Sequence, residues 1–557
     1  MLTTNTLRTK AVIAAAVALV PAIASAQVLT PLDTYATGIF DDSAAEIPAY
    51  DPVTQRLFVT NAADDAVDVL GVSATGQLNF IQQISFNGSP NSVAVKNGVA
   101  VVALEDSNNT QLPGTVAFFD PSTLALTGTV GVGALPDMLT FTPDGSKILV
   151  ANEGEPSDDY LTDPEGSVSI IDVATQNVTT ADFTSFNGQE AALNAQGIRI
   201  FGPGASAAQD LEPEYIAISP DGLTAFVSLQ ENNAFATVDI ATSTVTALTS
   251  YGTKDHSLLE NSFDPSNRDG PGGDAAINFV TADVEGLYQP DAIASYSVGG
   301  MNFIVTANEG DARDYDGFSE EVRVDDLNLD PAIYPDAATL QLDENLGRLR
   351  TTSATGDLDG DDDVDQIFSY GARSFSIFDD AGNLVFDSGD DFERLLAAEL
   401  PANFNANNDD NDSFDSRSDD KGPEPEGVVL GDIDGRTYAF IGLERVGGIM
   451  VYDITDPDAV SFVDYVNNRD FAVDASLEVA DPNDPNDTID VSNPLAGDLG
   501  PEGLVFIDAI DSPTGSPLLA VTNEVSGTTT LFSVVIPEPT TAGLLGVTAI
   551  GMLHRRR

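Results

Sequence analysis

There is no cysteine in the 557 residues, and histidine occurs only twice, at His256 and His554. Without cysteine the fold has no disulfide staple, and with two histidines a structural zinc site has no ligands to draw on. A Ser-His-Asp arrangement would have to use His256, because His554 lies in a tail expected to be cut off. His256 itself stands in a polar segment that reads as an exposed surface loop. Basic residues are scarce too: 22 Lys and Arg stand against 89 Asp and Glu, a net charge of −67. A surface of that sign repels nucleic acid and anionic lipid and attracts cations. No Walker loop or G-x-G-x-x-G fingerprint joins a strand to a helix, so nothing marks a site for a nucleotide cofactor.

In place of those features the chain repeats one phrase. Residues 211–242 read LEPEYIAISPDGLTAFVSLQENNAFATVDIAT. Pro213 and Glu214 open an apolar run, Asp221-Gly222 makes a tight turn, and a second apolar run ends at Gln230-Glu231. Such runs bounded by Pro, Asp, Gly and Asn predict antiparallel strands joined by hairpins. The hairpin returns Glu214 and Glu231 to the same sheet edge. The phrase recurs from Glu46 to Asn61, Asn91 to Glu105, Asp137 to Glu153, Asp291 to Glu309, Glu426 to Glu444 and Glu502 to Glu524. Seven copies predict an all-β fold, a seven-bladed β-propeller with long acidic loop insertions, rather than a long sandwich.

The two ends carry different signals. Residues 1–26 hold Arg8 and Lys10, an apolar core and Ala24-Ser25-Ala26, which predicts a signal peptide with cleavage before Gln27. The β-domain is expected over 27–534. From 535 a Pro537-Glu538-Pro539 motif precedes an apolar segment of marginal spanning length, closed by Arg555, Arg556 and Arg557. All three parts in that order resemble a PEP-CTERM sorting signal, which implies an exosortase-type partner, export to the cell envelope or outside, and membrane contact only through this tail.

Carboxylates supply most of the available chemistry. Asp357, Asp359, Asp361, Asp363 and Asp365 alternate along an acidic loop, and alternating oxygens suit Ca²⁺, which takes six to eight hard ligands. The loop is not an EF-hand, since Asp362 and Phe368 stand where Gly and Glu are required. Asn407 to Asp412, with Asp415, is a second and weaker candidate, equally readable as a polar loop. The strand-start acids form the third set. Glu46, Asp137, Glu214, Asp291, Glu426 and Glu502, with Asn91, would ring one mouth. Glu105, Glu153, Glu231, Glu309, Glu444 and Glu524, with Asn61, would make a second tier. So many like charges require raised pKa values or bound cations. The alternative is that they cap strand ends and pair with Arg313, Arg373 and Arg445. Long insertions ahead of several strand starts are expected to gather over that mouth as a lid.

Several of these stretches resemble the choice-of-anchor I family. They include Glu212-Pro213-Glu214-Tyr215-Ile216-Ala217, Ala307-Asn308-Glu309-Gly310-Asp311-Ala312-Arg313, Phe318-Ser319-Glu320-Glu321, Gly371-Ala372-Arg373-Ser374-Phe375-Ser376 and Lys421-Gly422-Pro423-Glu424-Pro425-Glu426-Gly427. The resemblance runs over about residues 34–534. It implies a surface-directed, calcium-associated propeller related to mesenchyme-specific cell-surface glycoproteins, and it carries no catalytic residue set. Two functions are therefore expected to compete. One is a Ca²⁺-binding protein facing an extracellular matrix, polysaccharide or mineral surface. The other is a calcium-dependent phosphoester hydrolase, with Arg313, Arg323, Arg373, Lys421 and Arg445 as the only cations near the acidic motifs.

Overall fold

Each of the seven repeated phrases opens a four-stranded antiparallel sheet. The computed structural model describes residues 27–481 and 487–536. The sheets occupy residues 48–85, 90–134, 136–182, 216–250, 293–387, 425–466 and 501–534, the last completed by Leu29–Ala36. The predicted leader and the predicted sorting tail with its apolar helix lie outside the described residues. Among the described residues no helix is long and apolar enough to cross a membrane.

The second strand of each sheet is buried along almost its whole length around a short apolar run, as in Arg56–Asn61, Lys147–Asn152 and Leu518–Asn523, because both of its faces are covered. Alternate residues of Val99–Leu104 show how this happens. Ala100 and Val102 enter a core shared with the first sheet, whereas Val101 and Ala103 enter one shared with the third. Seven such cores exist among the described residues. Each lies between consecutive sheets, and one joins Leu57, Val59 and Leu70 of the first sheet to Leu518, Ala520 and Leu531 of the last. The outermost strands are the more exposed ones, and Leu78–Ser85 is exposed along most of its length, Phe80 and Ile81 included.

Residues 27–39 read in the sequence as a lead-in strand, and Leu29–Ala36 within them has a more specific place. Leu29–Ala36 pairs antiparallel with Thr528–Val534, so the final sheet is built from both ends of the described chain. The first strands of successive sheets lie against one another, and Pro501–Ile507 lies against Pro48–Asp51. The architecture is all-β and propeller-like.

Two segments expected to be long loops are not structureless. Thr253–Asp255 and Val284–Leu287 join Ile367–Ser369, Arg350–Thr352 and Glu321–Arg323 in a five-stranded sheet. That sheet has its own core of Phe263, Val324, Tyr334, Leu349 and Ile367. His256 belongs to this unit and is 2% exposed, which corrects the expectation of a surface histidine. Its Nδ1 lies 2.7 Å from the Asn261 carbonyl, and burial beside Lys254 pushes its pKa down to about 3.

Candidate metal centre

The Pro-acid pairs are aimed by backbone irregularity. Pro136, Pro425 and Pro501 pair with the end of the neighbouring strand, and the register then shifts before Leu139, Val428 and Leu504. A bulge of this kind leaves a residue outside the ladder and redirects its side chain. Asp137, Glu426 and Glu502 occupy those positions. The glycine that follows two of them has a steric cause. A Cβ on Gly427 would lie 2.0 Å from the Glu502 carbonyl oxygen, and one on Gly503 would lie 2.1 Å from that of Glu46. Backbones from adjacent sheets meet here too closely for any side chain. Gly503→Ala is expected to destabilise the protein by about 1–3 kcal/mol through overpacking. Denaturant unfolding measures this, and an unchanged midpoint would show that the contact yields freely.

These bulges and the hairpin ends bring Asp291, Glu309 and Glu426 together, each offering one oxygen within 4.8 Å of the others. Glu309 is held from both sides: Lys421 Nζ donates to Oε1 at 2.8 Å and Gln230 Nε2 donates to Oε2 at 3.0 Å. Glu309, Glu424 and Glu444 form a second group of the same kind, and here the charges are compensated. Glu424 receives Arg417 at 2.8 Å, Arg445 at 2.9 Å and Lys421 at 3.3 Å. Burial alone would raise its pKa, but those three cations outweigh burial and hold it far below the usual carboxylate range.

The rest of the ring has no such neutralisation. Glu214 and Glu231 are 7% and 5% exposed, and the Oε2 atoms of Glu214, Glu231, Glu426 and Glu502 have no hydrogen-bond partner among the described residues. A buried carboxylate oxygen without a partner is costly unless it is protonated or meets a cation. Burial, then the charges of Glu231, Glu153 and Asp291, raises the Glu214 pKa well above its ordinary value. Burial raises Glu46 to about 8, with Glu524 and Asp137 adding to it against a hydrogen bond from Ser43. Asp137 rises to about 7 through burial and the nearby Glu155.

Of the two tiers of acids expected from the sequence, the structure gathers Asp291 and Glu426 of the first and Glu309 of the second into one triad. Glu214 and Glu502 stand outside the triad, and the charge of Asp291 contributes to raising the pKa of each. Sequence reasoning missed Glu424 and Asp311, and placed Lys421 only as a phosphate holder. Glu424 stands two residues before Glu426 in the same motif, which was the signal available. A strap from the insertion crosses nearby. Arg313 bonds Asp210 at 2.6 Å and Glu212 at 2.8 Å, and the Tyr315 hydroxyl donates to Glu155 at 2.9 Å.

Residues 46–457 match the family model described as the Choice-of-anchor I domain. The chain belongs to that family. Gigasin-3a of Magallana gigas is 31% identical over 201 residues, covering 35% of this choice-of-anchor I chain and 67% of the relative. The mesenchyme-specific cell surface glycoprotein of Strongylocentrotus purpuratus is 26% identical over 229 residues, 33% of this chain but only 28% of that protein. Among solved structures, hydrazine synthase of Kuenenia stuttgartiensis aligns with a TM-score of 0.44 at 13% identity, over 90% of this chain and all of that one. A chain of the mitotic checkpoint complex aligns at 0.45 and 11% identity, over 96% and 99%.

The acidic loop of this choice-of-anchor I chain splits into two groups. Asp357, Asp359 and Asp361 converge at an exposed tip, while Asp363 and Asp365 converge with Asp330, which the sequence reading did not include. Much of their hydrogen-bonding capacity serves the loop itself. Asp357 Oδ1 accepts from the Gly360 amide at 2.6 Å, and Asp365 Oδ2 from that of Leu358 at 2.7 Å. The Asn407 to Asp412 segment holds loops together: Asn408 donates to Glu444 and Asn411 to the Val473 carbonyl. Asp415 faces a different neighbourhood.

Proposed function

We propose that this choice-of-anchor I chain is an exported, surface-associated seven-bladed β-propeller whose acidic mouth binds divalent cations, with Ca²⁺ as the fitting ion. The observation that carries the reading is the triad of Asp291, Glu309 and Glu426 beside buried carboxylate oxygens that lack partners. All the ligands on offer are hard oxygens at varied spacing, which suits the large and flexible coordination of Ca²⁺. Seven four-stranded sheets with seven intervening cores support the blade count, and the core shared by the first and last sheets supports closure. Surface association draws on the cell-surface name of the sea-urchin relative. Export, exosortase-type sorting and contact with a matrix, polysaccharide or mineral surface complete the proposal, resting on the leader, the tail and the charge of −67.

Binding is favoured over phosphoester hydrolysis by the state of the five cations that phosphate would need. Arg313, Arg323, Arg373, Lys421 and Arg445 are each engaged by carboxylates, at Asp210 and Glu212, Asp419, Glu393, Glu309, and Glu424 respectively. Calorimetric titration of Ca²⁺ into Glu426→Gln is expected to show affinity at least about tenfold below wild type, or about 1.4 kcal/mol. Equal affinity would remove the mouth as the site. Turnover of phosphomonoesters or diesters that disappears in Glu309→Gln would establish the hydrolase instead.

A further inference from the structure

A cavity of about 700 Å³ opens where the fourth sheet meets the five-stranded sheet of the insertions. Its size falls within the roughly 300–1,000 Å³ of small-molecule pockets. Residues 194–201 and 353–358 supply most of its walls, and Asn233, Leu287 and Phe368 help to complete them. None of Asp291, Glu309 and Glu426 lines it, so it stands apart from the triad of the mouth. Its rim, with Gln196, Thr253, Ser353 and Leu358, is exposed, whereas Ile198, Arg199 and Leu287 are buried. The walls are pinned by side chains bonded to backbone. Asn194 exchanges two bonds with Ile200, at 2.8 and 2.9 Å, and Ser250 Oγ donates to the Gly197 carbonyl at 2.9 Å. Across the cavity the amide and the hydroxyl of Ser353 both donate to the Glu320 carbonyl, at 2.8 and 2.9 Å. The cavity is therefore preformed rather than a gap between loose loops.

Two groups on its lining, Arg199 Nε and Thr355 Oγ1, are buried without a hydrogen-bond partner among the described residues. Arg199 is 3% exposed, and its other nitrogens serve the Glu231 carbonyl, Glu320 and the Thr352 hydroxyl. A buried donor left unmet is costly, so Nε–H calls for an acceptor from outside the chain. Charge is already balanced. Glu320 answers the guanidinium, and Asp357 at the rim accepts from the amides of Gly360, Asp361 and Asp362 in its own loop. An ionic ligand would bring a charge with no counterpart. The apolar part of the lining comes from alternation along a strand. Ile367 enters the core of the insertion sheet, so Phe368 turns to the opposite face and lends a half-buried ring to the cavity. Ile198 and Leu287 add to that surface. The ligand that fits is neutral, has C–H faces for these side chains and carries hydroxyls. A hydroxyl oxygen accepts from Nε–H, and a hydroxyl can donate to or accept from Thr355. A purely aliphatic ligand would leave both groups unmet.

We propose that this cavity binds a neutral saccharide unit, with Arg199 Nε and Thr355 Oγ1 bonded to its hydroxyls and Phe368 packed on its C–H face. The site rests on the cavity itself and not on cation binding at the mouth. The probes are glucose, galactose, mannose and N-acetylglucosamine with the disaccharides cellobiose, lactose and chitobiose, and galacturonic acid as the charged counterpart of galactose. Saturation-transfer NMR detects binding to the full chain, and calorimetry measures it. Both are run in chelator, where the mouth carries no divalent cation, so the result stands whether or not the mouth binds one. Wild type is expected to bind at least one neutral saccharide and to exclude galacturonic acid. Because Thr355 Oγ1 has no partner in the protein, Thr355→Val is expected to melt at the wild-type temperature while affinity falls about three- to tenfold, the worth of one hydrogen bond. Phe368→Leu keeps apolar bulk but removes the flat ring, and is expected to weaken binding as well. Thr355→Val keeps the test open where Phe368→Leu does not fold. The proposal is overturned if none of the neutral saccharides binds wild type, if galacturonic acid binds as tightly as galactose, or if Thr355→Val binds as tightly as wild type.

Discussion

Replacing Arg313 with methionine is expected to lower the stability of the protein by about 3–5 kcal/mol, the range for breaking a buried ion pair from one side. Arg313 is 1% exposed, and its guanidinium bonds Asp210 Oδ1 at 2.6 Å, the Asp210 carbonyl at 2.7 Å and Glu212 Oε2 at 2.8 Å. It also lies over the Phe201 ring at 4.6 Å, beside Arg199 at 4.3 Å on the same ring. Arg199 in turn pairs with Glu320 and the Thr352 hydroxyl, so two arginines clamp the insertion onto residues 199–212. The substitution removes one charge and strands two carboxylates that are 1% exposed. Their desolvation, more than the lost attraction, sets the size of the effect. Adding Asp210→Asn and Glu212→Gln is therefore expected to recover most of the loss, because nothing ionised is then left buried. Urea unfolding of the single and triple variants, read at constant slope, separates the two contributions. A single variant within about 0.5 kcal/mol of wild type would show that the clamp carries no stability.

Those arginines illustrate what the sequence makes legible and what it leaves hidden. The strand-start acids could be read because their signal is local. A proline that cannot donate to the ladder, an acid and a short apolar run specify a bulged first strand without reference to any other part of the chain. The second strands were equally plain, since burial on both faces turns alternation into a short apolar run. The insertion sheet had no such signal. Thr253–Asp255 and Val284–Leu287 are three and four residues long, and the latter pairs in parallel with Ile367–Ser369 some eighty positions away. His256 looked exposed because its covering arrives from the same unit: Phe263 stacks 4.3 Å from its ring, and a side chain at Gly286 would collide with its Nε2. The pairing of Lys421 with Glu309 and Glu424 was hidden for a different reason. A charged run in sequence reads as solvated until distant strand ends enclose it. The N-terminal strand could be read as a strand, but its partner, Thr528–Val534, lies about five hundred residues away.

Freed of divalent cations, the protein is expected to lose stability as pH rises from about 6.5 to 8, and Ca²⁺ is expected to cancel that loss. In the folded chain Glu46 titrates at about 8, Asp137 and Asp311 at about 7, and Asp415 at about 8, all through burial first. In the unfolded chain the same groups ionise near 4, so across this window the folded state carries more protons. Stability then falls with pH, because proton binding favours the state that holds more of them. The contribution of these acids is complete below their unfolded pKa values and is lost as pH climbs through the folded ones. His256 acts with the opposite slope, since it is buried neutral at about 3 and the unfolded chain takes up its proton below 6.5. Its contribution is complete above 6.5, which leaves the window to the carboxylates. Glu424, held ionised by Arg417, Lys421 and Arg445, loses its contribution only in strong acid and is flat here. One pKa unit corresponds to about 1.4 kcal/mol, and the acids repel one another as they ionise, so the net loss is on the order of a few kcal/mol rather than a simple sum. Calcium is expected to reverse the trend, because the proposed site would bind the ionised form. At a hundredfold excess over its dissociation constant, one site adds about 2.7 kcal/mol to the folded state. Melting temperatures across the window, in chelator and in saturating Ca²⁺, should diverge as pH rises. A chelated protein whose melting temperature climbs with pH would mean that the buried acids are already compensated within the fold, and the mouth would then have no need of a cation.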